Sequence, residues 1–200
     1  MSYPLPLMPV MIDPTVKCCT DVLTPMQIKA IRDLGDALIA TAPLEAEVGY
    51  NADRRVIERV RKAVVQWLPF PAQDPRTQWI YDMAADVVQQ CNGLYWRFDL
   101  REFTDQLHYV RYTAPSDHFS WHRDSGDDWQ RPQRKLSFSL MLSDPEEYSG
   151  GELQVLDQTV KERGAGTFAI FPSSMRHRVL PVTRGERRAL IGWASGPPLR

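Results

Sequence analysis

The sequence predicts an α+β protein with a double-stranded β core. Two stretches in the first half carry apolar residues at helical spacing, and from Leu94 onward the texture changes to short alternating runs separated by turn residues. Those runs recur roughly every ten residues, the rhythm of a sandwich or barrel. At 200 residues, 43% hydrophobic and 24% charged, the chain is expected to form one domain over residues 1–200, with residues 1–20 as an N-terminal arm broken by Pro4, Pro6 and Pro9.

After the arm, "TPMQIKAIRDLGDALIA" reads as a helix. Thr24 can cap it, Pro25 suits its first turn and Gln27 completes a capping box. Ile28, Ile31, Leu34 and Leu38 form the apolar stripe. In "RVRKAVVQWLPF", Val60, Val64, Val65 and Trp67 suggest a strand ended by Pro69. The second helix is "TQWIYDMAADVVQQCNG", whose stripe is Ile80, Met83, Ala84, Val87, Val88 and Cys91, with Asn92-Gly93 as the stop. Strands are then expected in "LYWRFDL", "QLHYVRY", "HFSWHRD" and "KLSFSLMLS". Past the Asp144-Pro145 turn come "GGELQVL", "GTFAIFP", "HRVLPV" and "RALIGWA". Gly150-Gly151 serves a tight turn. Both helices are expected to pack on one sheet.

Bulk properties narrow the function classes. A net charge of −1, with no basic stripe carrying interleaved aromatics, argues against nucleic-acid or membrane-surface partners. Cys18, Cys19 and Cys91 are too few for a disulfide scaffold, which suits a reducing compartment. The start has no basic n-region, and no apolar run approaches the roughly 20 residues that span a bilayer. A cytoplasmic location is the expectation.

Within "FSWHRDSGDDW", His122 and Asp124 stand two positions apart. On a strand, residues i and i+2 point to the same face, so the two could hold one ion. "FPSSMRHRVLPV" supplies His177 as a third donor. Two histidines and a carboxylate, with one histidine distant in sequence, make the donor set of a facial triad that leaves positions open for Fe(II) chemistry. No Cys pair is spaced for structural zinc and the HExxH arrangement is absent, although catalytic zinc on the same three donors stays open. His108 reads as a strand residue, and His118 as a surface or pocket-mouth residue. In "VTRGERRALIGWA", alternation sets Arg187 on one face with Ala189, Ile191 and Trp193, and Arg188 on the opposite, wet face. An arginine inside a small barrel needs an anion, and a dicarboxylate matches its planar fork. A wet sheet face for both arginines is the competing reading. No nucleophile–base pair stands out, so no catalytic residue is expected beyond the metal centre.

Taken in order, "RYTAPSDHFSWHRD", "LSDPEEYSGGELQVL" and "HRVLPVTRGERRALIGW" resemble the Fe(II)/2-oxoglutarate-dependent dioxygenases, in their small prolyl 4-hydroxylase-like branch. The resemblance runs from roughly Leu23 to Trp193. It implies a double-stranded β-helix, or jelly-roll, with His122, Asp124 and His177 as iron ligands. It also implies 2-oxoglutarate as co-substrate, its distal carboxylate held by Arg187 and Tyr112, with ascorbate as a further cofactor. Ser137 would take the place of a family hydroxyl residue, and Trp193 would line the pocket. Collagen-modifying members carry Lys where this chain has Arg187, which turns the substrate expectation away from collagen. The activity implied is O2-dependent hydroxylation of a prolyl or other residue in a peptide or protein, releasing succinate and CO2. The same chemistry on a free amino acid or small natural product is the alternative. A nucleic-acid demethylase and a non-catalytic metal-binding module are lesser ones. Residues 125–135 could form a lid or an ordinary loop, with Trp121 or Trp129 near the mouth.

Overall fold

Helix α1 (Pro25–Thr41) starts at the capping box the sequence predicts: Thr24 Oγ1 accepts from Gln27 N at 3.3 Å, and Gln27 Oε1 accepts from Thr24 N at 2.9 Å. The structure, a computed structural model, describes residues 13–46, 57–125 and 133–197. Ile31, Gly35 and Ile39 are the buried face of α1, and Ile28, Leu34 and Leu38 pack around it. Gly35 lies flat on the Tyr109 ring, where a Cβ would collide, so its lack of a side chain sets how near α1 sits to the sheet.

Helix α2 (Gln78–Tyr95) buries Ile80, Ala84, Val87, Val88 and Cys91 as the stripe predicts. It does not stop at Asn92-Gly93. Leu94 and Tyr95 complete its last turn, so the strand expected in "LYWRFDL" is absent. The Asn92 amide explains the ending. It donates to Phe98 O and accepts from Phe98 N, both at 2.9 Å, and so ties down the following segment without a sheet partner.

The eight-stranded antiparallel sheet runs β1 (Lys17–Cys19), β11 (Phe168–Pro172), β7 (Arg134–Met141), β13 (Val182–Ser195), β5 (His108–Thr113), β4 (Val64–Trp67) and β2 (Leu44–Glu45), with β8 (Tyr148–Gly150) also paired to β13. The five-stranded sheet runs β10 (Gln158–Thr159), β9 (Leu153–Val155), β12 (His177–Val179), β6 (His118–His122) and β3 (Arg61–Lys62). Two elements depart from the sequence pattern. Lys17–Cys19, within the expected arm, are an edge strand paired with β11, and Cys19 Sγ lies 2.9 Å from Cys91 Sγ of α2. The single strand expected around Val60–Trp67 is two, β3 in one sheet and β4 in the other, because the chain crosses between sheets at Ala63.

Alternation along β7 divides the core. Leu136, Phe138 and Leu140 join Ile31, Ile80, Val88 and Leu190 beneath the helices. Met141 joins Val110, Tyr112, Val155 and Phe171 between the two sheets. The architecture is the jelly-roll expected, with both helices on the outer face of the larger sheet. No helix among the described residues is long and apolar enough to cross a membrane.

Candidate metal centre and anion pocket

His122 and His177 are cross-strand partners, on β6 and β12. Asp124 joins them by a different route from the one alternation suggests. Strand β6 ends at His122, and Asp124 lies beyond it in a bend. The backbone N–H groups of Asp124 and Ser125 both donate to Ser173 O, each at 3.0 Å, which pins the bend against the end of β11. One donor atom from each of His122, Asp124 and His177 then lies within 4.8 Å of the others.

Hydrogen bonds around these residues settle which atoms face inward. His122 Nδ1 lies 2.8 Å from Ser120 O and His177 Nδ1 lies 3.0 Å from Met175 O. A carbonyl can only accept, so each Nδ1 carries the proton and each Nε2 is left for the centre. Those Nε2 atoms stand 3.7 and 3.3 Å from Asp124 Oδ1 and Oδ2. Ser137 Oγ donates to Asp124 Oδ2 at 2.7 Å and lies 2.9 Å from Ser173 Oγ, which fixes the carboxylate plane. Phe119 stacks on the His122 ring at 3.5 Å, and Phe171 lies 4.7 Å from His177.

The electrostatics of the cluster call for one positive charge at its middle. Burial, reinforced by His177, pushes His122 down to about 3. Burial would raise the Asp124 carboxyl, but neighbouring His177 outweighs it and holds the acid well below its usual range. Burial would lower His177, but Asp124 outweighs that too and raises it. Two imidazole nitrogens and a carboxylate converging in a buried site thus fit a divalent cation, held by outer hydrogen bonds of the kind that orient metal ligands.

Arg187, on β13, is buried with 2% exposure in the layer between the sheets. It is the cross-strand partner of Tyr112, whose ring centre lies 5.5 Å from its guanidinium carbon, and its Nη2 is 3.3 Å from Met141 Sδ. No carboxylate among the described residues is within ion-pair range of it. A buried guanidinium with an aromatic and a thioether for neighbours has the chemistry to receive an anion.

Arg188 corrects the wet-face expectation. It does point opposite to Arg187, but α1 covers that face. Its Nε reaches Asp36 Oδ2 at 3.0 Å, its Nη2 reaches Glu186 Oε2 at 2.6 Å, and its side chain is only 13% exposed. Tyr109 also donates to Asp36 at 2.9 Å. Trp121 lies opposite His122 by alternation, under Arg178 at 4.7 Å and Arg176 at 5.5 Å. His108 is buried between the rings of Trp67 and Trp193, while His118 lies against Ser116 O at 2.9 Å. Trp129 and most of the 125–135 segment lie outside the described residues. Sequence reasoning missed Ser173, because its contacts with Asp124, Ser125 and Ser137 join segments far apart in the chain.

Residues 107–195 match the 2OG-Fe(II) oxygenase superfamily. Over those residues this chain is similar to that superfamily. A PKHD-type hydroxylase of Nitrosomonas europaea is 38% identical over 107 residues, which is 49% of this chain and 47% of that protein. Another from Parvibaculum lavamentivorans is 47% identical over 74 residues, 34% of this chain and 33% of that one. The chain therefore spans half or less of the length of these curated relatives. Among solved structures, a Pseudomonas putida prolyl-4-hydroxylase superposes with a TM-score of 0.71 at 24% identity, covering 91% of this chain and 92% of that one. A Trichoplax adhaerens prolyl hydroxylase, solved with a hypoxia inducible factor peptide fragment, superposes with a TM-score of 0.73 at 16% identity, covering 90% and 83%. These two likenesses establish the jelly-roll fold of this chain.

Proposed function

We propose that this protein is an Fe(II)- and 2-oxoglutarate-dependent dioxygenase that hydroxylates an unactivated C–H of a prolyl or other residue in a peptide or protein, releasing succinate and CO2. The observation that carries the reading is the pairing, in one jelly-roll, of the His122–Asp124–His177 cluster with a buried Arg187 whose neighbours are Tyr112 and Met141. Bound Fe(II) and 2-oxoglutarate would together supply the O2-derived oxidant that attacks the C–H bond. The chain's own residues do the rest. His122 and His177 turn their Nε2 atoms inward because Ser120 O and Met175 O hold the other ring nitrogens. Ser137 keeps Asp124 aligned. Arg187 would take the distal carboxylate of 2-oxoglutarate with help from Tyr112, and the apolar layer of Val110, Met141 and Phe171 keeps bulk water away.

Support for a peptide substrate comes from the prolyl hydroxylases of like fold, one of them bound to a peptide. The further expectations, ascorbate as a reductant, action as one domain over residues 1–200 and a cytoplasmic setting, belong to the same proposal. The test is incubation with Fe(II), 2-oxoglutarate and a proline-containing peptide library, with succinate measured by NMR and the peptides by mass spectrometry. A gain of one oxygen on a prolyl residue, matched by succinate, is the expected result. Turnover on a free amino acid with no peptide modified would move the substrate to the small-molecule class. No Fe(II) binding at His122, Asp124 and His177 would overturn the reading altogether.

A further inference from the structure

The start of β7 carries an arginine that the chemistry above does not use. Arg134 is buried, with a side chain only 4% exposed. Its Nε and Nη2 both donate to Asp105 Oδ2, at 3.0 and 2.7 Å. Its guanidinium carbon sits 3.7 Å from the centre of the Trp193 ring. By simple alternation Arg134 would share the helix-facing side of β7 with Leu136 and Phe138. It does not, because the register with β13 shifts: Ala194 pairs Leu136 and Ser195 pairs Arg134, so Lys135 is an extra residue. Such a bulge re-aims a side chain, and here it turns Arg134 onto the face of Trp193.

Trp193 connects this clamp to the metal site. It is the cross-strand partner of Ser137, whose hydroxyl donates to Asp124 Oδ2 at 2.7 Å, so the indole and that hydroxyl share the sheet face on which the Asp124 carboxylate lies. The His108 ring meets the indole edge-on at 4.8 Å. The indole is thus held by a cation and by an imidazole edge, on the sheet face that also carries the Asp124–Ser137 bond. We propose that Arg134 is a positioning residue of the metal centre: clamped by Asp105 and stacked on Trp193, it holds the indole in register against Asp124. This rests on the metal reading given under Proposed function. Two features separate it from a purely structural role. A buried ion pair is a poor source of net stability, since apolar residues of equal volume serve as well. A flat guanidinium lying on an indole also supplies geometry that an ammonium cannot.

The test is a double-mutant cycle read by Co(II) binding to the full-length protein, with the visible absorption of bound Co(II) reporting the ligand field. Loss of an outer-shell partner typically weakens metal affinity about 10- to 100-fold, and that range is expected for Arg134→Met and for Trp193→Phe. Because Arg134 acts through the indole, Arg134→Met in the Trp193→Phe background should cost little more, with the same altered Co(II) spectrum. Arg134→Lys should recover only part of the loss. It also completes the cycle if Arg134→Met does not fold. Wild-type Co(II) affinity in Arg134→Met, or losses that multiply in the double variant, would overturn the inference while leaving the metal centre intact. Failure of the wild-type protein to bind Co(II) would overturn the metal reading, and this inference with it.

Discussion

Replacing Arg187 with Met and Arg188 with Ala should push the protein in opposite directions. Arg187 is 2% exposed, and its guanidinium lies against Met141 Sδ and the Tyr112 ring. In the protein without cosubstrate it is a buried cation with no carboxylate among the described residues in reach. Substituting an apolar side chain of similar length for a buried ion is neutral or stabilising by about 1–4 kcal/mol. For a chain of this size each kcal/mol moves Tm by about 2–4 °C. The same change removes the fork proposed for 2-oxoglutarate and leaves a carboxylate unpaired in a dry pocket, a loss of about 2–5 kcal/mol. That corresponds to about 30-fold or more in affinity. Arg188 has the reverse balance. Truncation removes the cation that Asp36 and Glu186 share at the α1–sheet junction, and since these groups are partly exposed the cost is about 1–3 kcal/mol. Its 2-oxoglutarate affinity should be nearly unchanged. Differential scanning calorimetry without cosubstrate, paired with 2-oxoglutarate titration in the presence of Mn(II), reads both effects. An Arg187→Met protein that melts below wild type and still binds 2-oxoglutarate would refute the reasoning, and a crippled Arg188→Ala titration would mean that the pocket lies on the helix side.

Further outcomes follow from single contacts. His177→Ala should abolish tight Fe(II) binding and 2-oxoglutarate turnover together, measured by metal titration and succinate release; wild-type turnover would refute the ligand assignment. Ser137→Ala removes the 2.7 Å bond to Asp124 and should weaken metal affinity about 10-fold without unfolding the protein. Glu147 is held below its ordinary range because its two bonds to Arg32, both 2.7 Å, outweigh burial. Its contribution is therefore complete above the unfolded glutamate pKa of about 4.3 and is lost as pH falls through the lower folded value. Glu147→Gln should flatten that part of the acid stability profile in urea titrations. Gly35→Ala gains about 1 kcal/mol of helix propensity but drives a methyl into the Tyr109 ring, so a net loss of about 1–2 kcal/mol in urea unfolding is expected.

The sequence by itself determined the features that depend on neighbours along the chain. The capping box, both apolar stripes, the leucine–serine alternation of β7 and the opposite faces of Arg187 and Arg188 are local periodicities, and they read correctly. So was the α+β class. The donor set His122, Asp124 and His177 was legible as residue types and spacing, but not the reason they meet. Only the tertiary structure decided that Asp124 leaves the strand and is pinned by Ser173, because a backbone carbonyl 49 residues on carries no sequence signal. The same holds for the helix that runs on to Tyr95, which closes on an Asn92–Phe98 bond and not on its glycine. Whether the far face of β13 is wet depended on where α1 docks, and a bulge at Lys135 sent Arg134 to Trp193. Periodicity specifies the two faces of each strand, but what covers a face is chosen by packing between distant segments.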